Sequence, residues 1–213
     1  MIKAVIFDLD GVLVSTDVLH FNAWKRLAEE IGITGFTKAD NARQRGVSRM
    51  ASLEVVLEKG SRLYTDEEKA ELAERKNRYY VESLKDLSEK DVLCGAAEFL
   101  KHLREKGVKT VVGSASKNAP IILEKTGLME YMDAVSCGLD TQKSKPDPEV
   151  FLIAAKKVKT APEECIVFED SDAGIEAAKN GGMFAFAVGA ARGNKRADFA
   201  TESLETINLL KYI

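Results

Sequence analysis

Two aspartates, Asp8 and Asp10, stand two residues apart where a continuous apolar run, Ala4 to Phe7, comes to an end. A continuous apolar run predicts a short strand buried on both faces. Residues i and i+2 of an extended chain point the same way, so both carboxylates share one side of the strand end. Gly11 then breaks the strand. Acids held that close repel, and such a pair persists only beside a cation, hydrogen-bond donors or a shared proton. An isolated D-x-D is most often an acidic turn. Three further polar clusters change the weight: Ser114-Ala115-Ser116-Lys117-Asn118, Ser144-Lys145-Pro146 and Glu169-Asp170-Ser171. Pooled, they give four carboxylates, a lysine, and a hydroxyl with backbone N–H groups opening a helix. Oxygen-rich carboxylate clusters suit Mg²⁺, which keeps waters and binds substrate phosphate as well. The hydroxyl and N–H groups accept an anion, which Lys145 can neutralise. One aspartate is then free to act as nucleophile, and a second to pass protons to and from the exchanging oxygens.

The elements that must bring these clusters together are legible. From about residue 93 onward, strands and helices alternate: helix 95–106, strand 109–112, a helix ending at 125, strand 134–137, helix 147–158, strand 165–168, helix 171–180 and strand 183–188. That order predicts a parallel sheet covered by helices on both faces, with the first strand, 3–7, in the same sheet. In such open sheets ligands bind outside the carboxyl ends of the strands, where the polar clusters fall. Between residues 16 and 89 no strand is evident. Helical stretches at 17–31, 38–43, 50–59 and 66–84 follow one another, with breaks at Gly32 and Gly60. The expected fold class is therefore α/β, a Rossmann-like parallel-sheet core of residues 1–15 and 90–213 carrying an all-helical cap of residues 16–89. The crossings at 14–17 and 84–91 would be its hinges.

Bulk properties narrow the class of protein. The 213 residues are 45% hydrophobic and 31% charged, and the net charge is −3. This is ordinary for a globular protein with a real core and offers no basic field for nucleic acid or a membrane surface. Three cysteines without C-x-x-C spacing argue against a disulfide framework or zinc site. All three are expected to be small buried hydrophobes. No basic segment leads into a long apolar stretch at the N-terminus. The expectation is a cytoplasmic monomer acting on a small molecule, with no nucleic-acid or membrane partner.

D-L-D-G-V at 8–12, Ser114, Lys145 and Glu169-Asp170 together resemble the four motifs of the haloacid dehalogenase superfamily, in order along essentially the whole chain. The resemblance implies Asp8 as nucleophile and Asp10 as general acid/base. It implies Mg²⁺ held by the Asp8 carboxylate, the Asp10 main-chain carbonyl and Asp170, with Glu169 in support. Ser114, the Ala115 N–H and Lys145 would grip the transferring phosphate.

Within that superfamily the cap is similar to the β-phosphoglucomutase subfamily, in Arg45-Gly-Val-Ser-Arg49 with Ser52-Leu53, in His20-Phe21-x-Ala-Trp24 and in Lys76 of Ala73-Glu-Arg-Lys-Asn77. The core segment 114–118 matches too. What this implies is an isomerase converting β-glucose 1-phosphate to glucose 6-phosphate through a β-glucose 1,6-bisphosphate. Arg49, a planar bidentate donor, would hold a second phosphate with Ser116, Lys117 and Asn118. His20 and Lys76 would contact each other and substrate, and Thr16, itself among the implied substrate-binding residues, would link them to Asp10. Trp24, Gly46, Val47 and Ser52 would line the sugar pocket. Bland readings stand beside these: Arg49 as a solvated surface residue, His20 as structural, Trp24 as cap packing, Lys76 as one charge in the dense run 71–78. Ser15 departs from relatives that carry aspartate there, with Asp17 as a substitute two residues later. A phosphatase of the same superfamily, with water attacking the aspartyl-phosphate, is the alternative function.

Overall fold

In the computed structural model, which describes residues 2–207, the strands β1 (Ala4–Phe7), β2 (Lys109–Gly113), β3 (Ala134–Ser136), β4 (Cys165–Glu169), β5 (Phe184–Val188) and β6 (Phe199–Thr201) form one parallel sheet. Its order is β3-β2-β1-β4-β5-β6, so the strand carrying the two aspartates runs through the middle. All four residues of β1 are buried. Val5 and Phe7 face one apolar layer with Phe99, Leu100 and Leu103 of α5 (Ala96–Glu105) and Ile122 of α6 (Ala119–Lys125). Ala4 and Ile6 face the other, with Phe151 of α7 (Glu149–Lys157) and Ile175 of α8 (Asp172–Asn180). That two-sided burial is why the run is continuous rather than alternating.

Phe7, Phe168 and Phe186 occupy adjacent register positions on β1, β4 and β5, and Phe199 follows on β6. Their rings lie 5.3, 4.7 and 5.5 Å apart in a row across the sheet. Aromatic neighbours on one face are among the stronger cross-strand pairs, and this row holds the register that aligns the strand ends.

Four helices, α1 (Asp17–Glu30), α2 (Lys38–Ala42), α3 (Arg49–Leu57) and α4 (Asp66–Ser83), make the cap. It has its own core, in which Trp24, Leu27, Leu53, Val56 and Leu72 meet. Thr65 and Glu68 close a capping box at the start of α4, and Ser48 accepts from the Ala51 N–H to cap α3. The two crossings between cap and core run side by side. Val14 bridges Val92, the Ser15 N–H donates to the Asp91 carbonyl at 3.1 Å, and the Leu93 N–H donates to the Leu13 carbonyl at 2.9 Å.

Element ends differ from the sequence reading by one or two residues, as helix ends generally do. β6 is an addition. Cys137 and Cys165 are buried as expected, but Cys94 is exposed. The core's expected extent to residue 213 runs past the described residues.

Candidate active site

Four polar segments converge at the carboxyl end of the sheet. The Asp8 N–H donates to the Phe168 carbonyl at 2.9 Å, which carries the β1–β4 ladder one residue past the strand and anchors the nucleophile candidate. The chain then turns at Gly11, whose φ of +80° suits glycine. A side chain there would also collide with Asp170, since a Cβ would lie 2.1 Å from its Oδ2. Gly11 therefore does more than end the strand: it lets Asp170 close in on Asp8.

Lys145 is the cation at the centre. Its buried ammonium donates to Asp8 Oδ1 at 2.5 Å and to Glu169 Oε2 at 2.7 Å. Burial would discharge a lone lysine, but the two carboxylates reverse this and raise its pKa. The Asp8 carboxyl is pushed well above its usual range by burial and by Glu169, with Lys145 opposing. Glu169 is fully buried; its Oε1 accepts from the Ser171 N–H and hydroxyl. Asp8, Glu169 and Asp170 each offer an oxygen within 4.8 Å of the others. An all-oxygen, net-negative cluster of this kind fits a hard divalent cation such as Mg²⁺. The Asp10 carboxylate lies outside that cluster; its assigned contact there was the main-chain carbonyl.

Asp10 instead faces the cap. Its Oδ1 accepts a short hydrogen bond from the Thr16 hydroxyl, and Thr16 Oγ1 accepts from Tyr80 OH at 3.0 Å. Burial raises the Asp10 pKa, against the lowering effect of Thr16. Lys76 lies 2.8 Å from His20 Nδ1, which places the other ring nitrogen, Nε2, 4.0 Å from Asp10 Oδ2. Burial and the charges of Lys76 and Arg49 hold the His20 pKa well below its ordinary value. Burial and Arg49 bring Lys76 down to about 7. Its ammonium sits over the Trp24 and Tyr80 rings at 4.6 and 4.7 Å.

A cavity of about 720 Å³ spans the cap–core boundary. From the cap, His20, Trp24, Gly46, Val47, Arg49, Ser52 and Lys76 line it; from the core, Ser114 to Asn118, Lys145, Asp8, Asp10 and Asp170. Two predicted site residues stand elsewhere. Thr16 is fully buried behind Asp10, so it positions the acid rather than lining the pocket. Glu169 is enclosed behind Lys145. Trp24 belongs mainly to the cap core, 2% exposed, and reaches the cavity as a support for Lys76. Asp17 does not fill the hinge position left by Ser15: it accepts from Asn41 at 3.0 Å and pairs with Arg45 at 3.4 Å, both within the cap.

Several contributors escaped the sequence reading. Tyr80 stacks on His20 at 4.0 Å and holds Thr16; its spacing of four from Lys76 on one helix face was the available signal. The cap also touches the core directly. The Ser48 N–H donates to Ser144 Oγ at 2.7 Å, and Asn118 Nδ2 donates to Asn77 Oδ1 at 3.0 Å.

A family model for haloacid dehalogenase-like hydrolases matches residues 2–182. The chain is 40% identical to the β-phosphoglucomutase of Bacillus subtilis over 97% of its length and 92% of that protein's. It is 33% identical to a phosphorylated carbohydrates phosphatase of Thermotoga maritima, over 85% of this chain and 82% of that one. The crystal structure of β-phosphoglucomutase from Clostridium difficile superposes with a TM-score of 0.93 at 36% identity, covering 99% of this chain and 95% of that one. The paired aspartates of β1, the lysine between Asp8 and Glu169 and the helical cap thus belong to a near-full-length likeness, and the chain is a member of the haloacid dehalogenase-like hydrolase family.

Proposed function

We propose that this chain is a β-phosphoglucomutase, interconverting β-glucose 1-phosphate and glucose 6-phosphate through a β-glucose 1,6-bisphosphate. The observation that carries the reading is that Arg49 of the cap and Asp8 of the core line one cavity, in a chain 40% identical to a β-phosphoglucomutase. A mutase must hold one phosphate at the nucleophile and another at a distance; a phosphatase needs only the first.

Asp8 carries the phosphoryl group as an aspartyl-phosphate. When the 6-hydroxyl of β-glucose 1-phosphate attacks that phosphorus, Asp10 takes the hydroxyl proton, the new O–P bond forms and the bond to Asp8 breaks. The bisphosphate then turns round. Asp8 attacks its 1-phosphate, and the C1 oxygen leaves with the proton from Asp10, giving glucose 6-phosphate and restoring the phosphorylated aspartate. The raised pKa of Asp10 suits a group that must hold this proton near neutrality. Ser114, the Ala115 N–H and Lys145 hold the phosphate in transfer. Arg49, with Ser116, Lys117 and Asn118, holds the other. Mg²⁺ among Asp8, Glu169 and Asp170, with the Asp10 main-chain carbonyl, would neutralise charge on the phosphate oxygens.

The reading includes a cap of residues 16–89 that moves as a unit, and a monomer in the cytoplasm. No helix among the described residues is long and apolar enough to cross a membrane. The 33% identity to a carbohydrate phosphatase keeps hydrolysis as the second reading. Incubating the protein with β-glucose 1-phosphate, Mg²⁺ and a trace of bisphosphate separates them. A mutase yields glucose 6-phosphate; stoichiometric free phosphate instead would overturn the proposal in favour of a phosphatase.

A further inference from the structure

Arg49, at the first turn of α3, does not point into the cavity unpaired. Its Nη1 donates to Glu74 Oε2 of α4 at 2.9 Å. The other carboxylate oxygen, Oε1, accepts from Asn77 Nδ2 at 3.1 Å, one turn along the same helix. Asn77 Oδ1 in turn accepts from Asn118 Nδ2 of the core at 3.0 Å. A continuous polar path therefore runs from the cap arginine, through one carboxylate and one amide, to the core segment that precedes α6. Its two ends, Arg49 and Asn118, are groups assigned above to the phosphate that is not in transfer.

We propose that Glu74 is an internal competitor for that second phosphate, a carboxylate that occupies Arg49 and must be displaced whenever a phosphate docks there. Two acceptors compete for one guanidinium. A carboxylate and a phosphate both accept its parallel N–H donors, and the Arg49 side chain is only 19% exposed, which limits simultaneous access. Displacement also frees Asn77, so arrival of the phosphate rearranges a cap–core contact as well as an ion pair. Glu74 thereby sets how tightly the distal phosphate is held. A mutase profits from moderate retention there, since its bisphosphate must let go and re-enter turned round. Glu74 is 56% exposed, so solvent screens the pair and the effect is modest.

The inference rests on the assignment of Arg49 to the second phosphate, and the test separates the two. Binding of β-glucose 1,6-bisphosphate in the presence of Mg²⁺ is measured by calorimetry in an Asp8→Asn background, which cannot take up the phosphoryl group, for Asp8→Asn alone and combined with Glu74→Gln, with Arg49→Ala and with both. Glu74→Gln keeps an acceptor for Asn77 and removes only the charge. It should tighten binding about threefold to fivefold, and Arg49→Ala should weaken it by tenfold or more. In the Arg49→Ala background, Glu74→Gln should change nothing, because the competition has lost its object. Equal tightening in both backgrounds would mean that Glu74 acts only as bulk negative charge and would overturn the proposal. Weakening by Arg49→Ala with no effect of Glu74→Gln would overturn it too, leaving the Arg49 assignment intact. No effect of Arg49→Ala would remove the assignment itself and the proposal with it. Urea midpoints for all four proteins confirm that each is folded at the assay temperature.

Discussion

Lys76 sits where an ammonium is costly to keep, 3% exposed, against two aromatic faces and near the Arg49 charge. Its pKa of about 7, against 10.5 for a free lysine, has two consequences. A phosphate docking beside it favours the charged form, so binding should draw in a proton. The sign follows from the window. Below pH 6 Lys76 is already charged and uptake vanishes; at pH 8 to 9 it approaches one proton per glucose 6-phosphate. Calorimetry in buffers of different ionisation enthalpy measures it, and Lys76→Met should abolish it. Uptake unchanged by that substitution would place the titrating group elsewhere. For stability, the folded protein binds fewer protons than the unfolded chain between pH 7 and 10.5. The cost of burying this charge is thus full below 7 and relieved as pH rises toward 10.5, by about 1.4 kcal/mol per unit. At the other end of the cavity, Asp8→Asn should eliminate phosphoenzyme and turnover together, since an amide is a poor nucleophile and a poor cation ligand. Phosphoenzyme persisting in a mass spectrum of the variant would reassign the nucleophile.

At the scale of elements, the loop entering α3 is seated on the core by a missing side chain. Gly46 has φ of +72°, and a Cβ there would lie 2.3 Å from Ser171 Oγ. Ser171 cannot readily yield, because its hydroxyl donates to Glu169 at 2.7 Å and accepts from the Gly174 N–H at the start of α8. Gly46→Ala should therefore lift the cap loop and misplace Arg49. A displacement on the order of 1 Å can cost ~10²-fold in rate, so glucose 6-phosphate formation should fall by at least ~10-fold under conditions where the variant, itself destabilised by alanine at positive φ, is still fully folded by its urea curve. Normal turnover would show that the loop does not need this seat.

Seats of this kind are what the sequence conceals. β1, β2 and β4 were legible because each is a short apolar run closed by polar residues, and the site residues at their ends were legible with them; β5 was legible as an apolar run that Gly189 ends. β6 was not: three residues, Phe-Ala-Thr, half-exposed and paired on one side only, carry no periodic signal. Gly11 and Gly46 could be read as turns, but not as gaps that Asp170 and Ser171 approach. Glu74 lies among so many charges at 71–78 that only its distance to Arg49 distinguishes it. Thr16 was named from resemblance as a ligand, and burial behind Asp10 gives it a positioning place instead.

On the scale of the whole molecule, the central position of β1 has a consequence for how the chain is made. Ala4 pairs with Lys109 on one side and Cys165 on the other, so the strand that leads into Asp8 leaves the ribosome long before either neighbour. The cap helices, whose contacts are local, can assemble meanwhile; the sheet must wait for partners of high sequence separation, which fold slowly. Refolding from urea should then show helical signal first, with the ability to phosphorylate Asp8 returning only in a later phase. Simultaneous recovery of both would mean that cap and sheet form in one step. During synthesis, an apolar strand with both edges unpaired is a hazard for association with other chains. The cap, emerging directly after it, is the first part of the protein able to shield it.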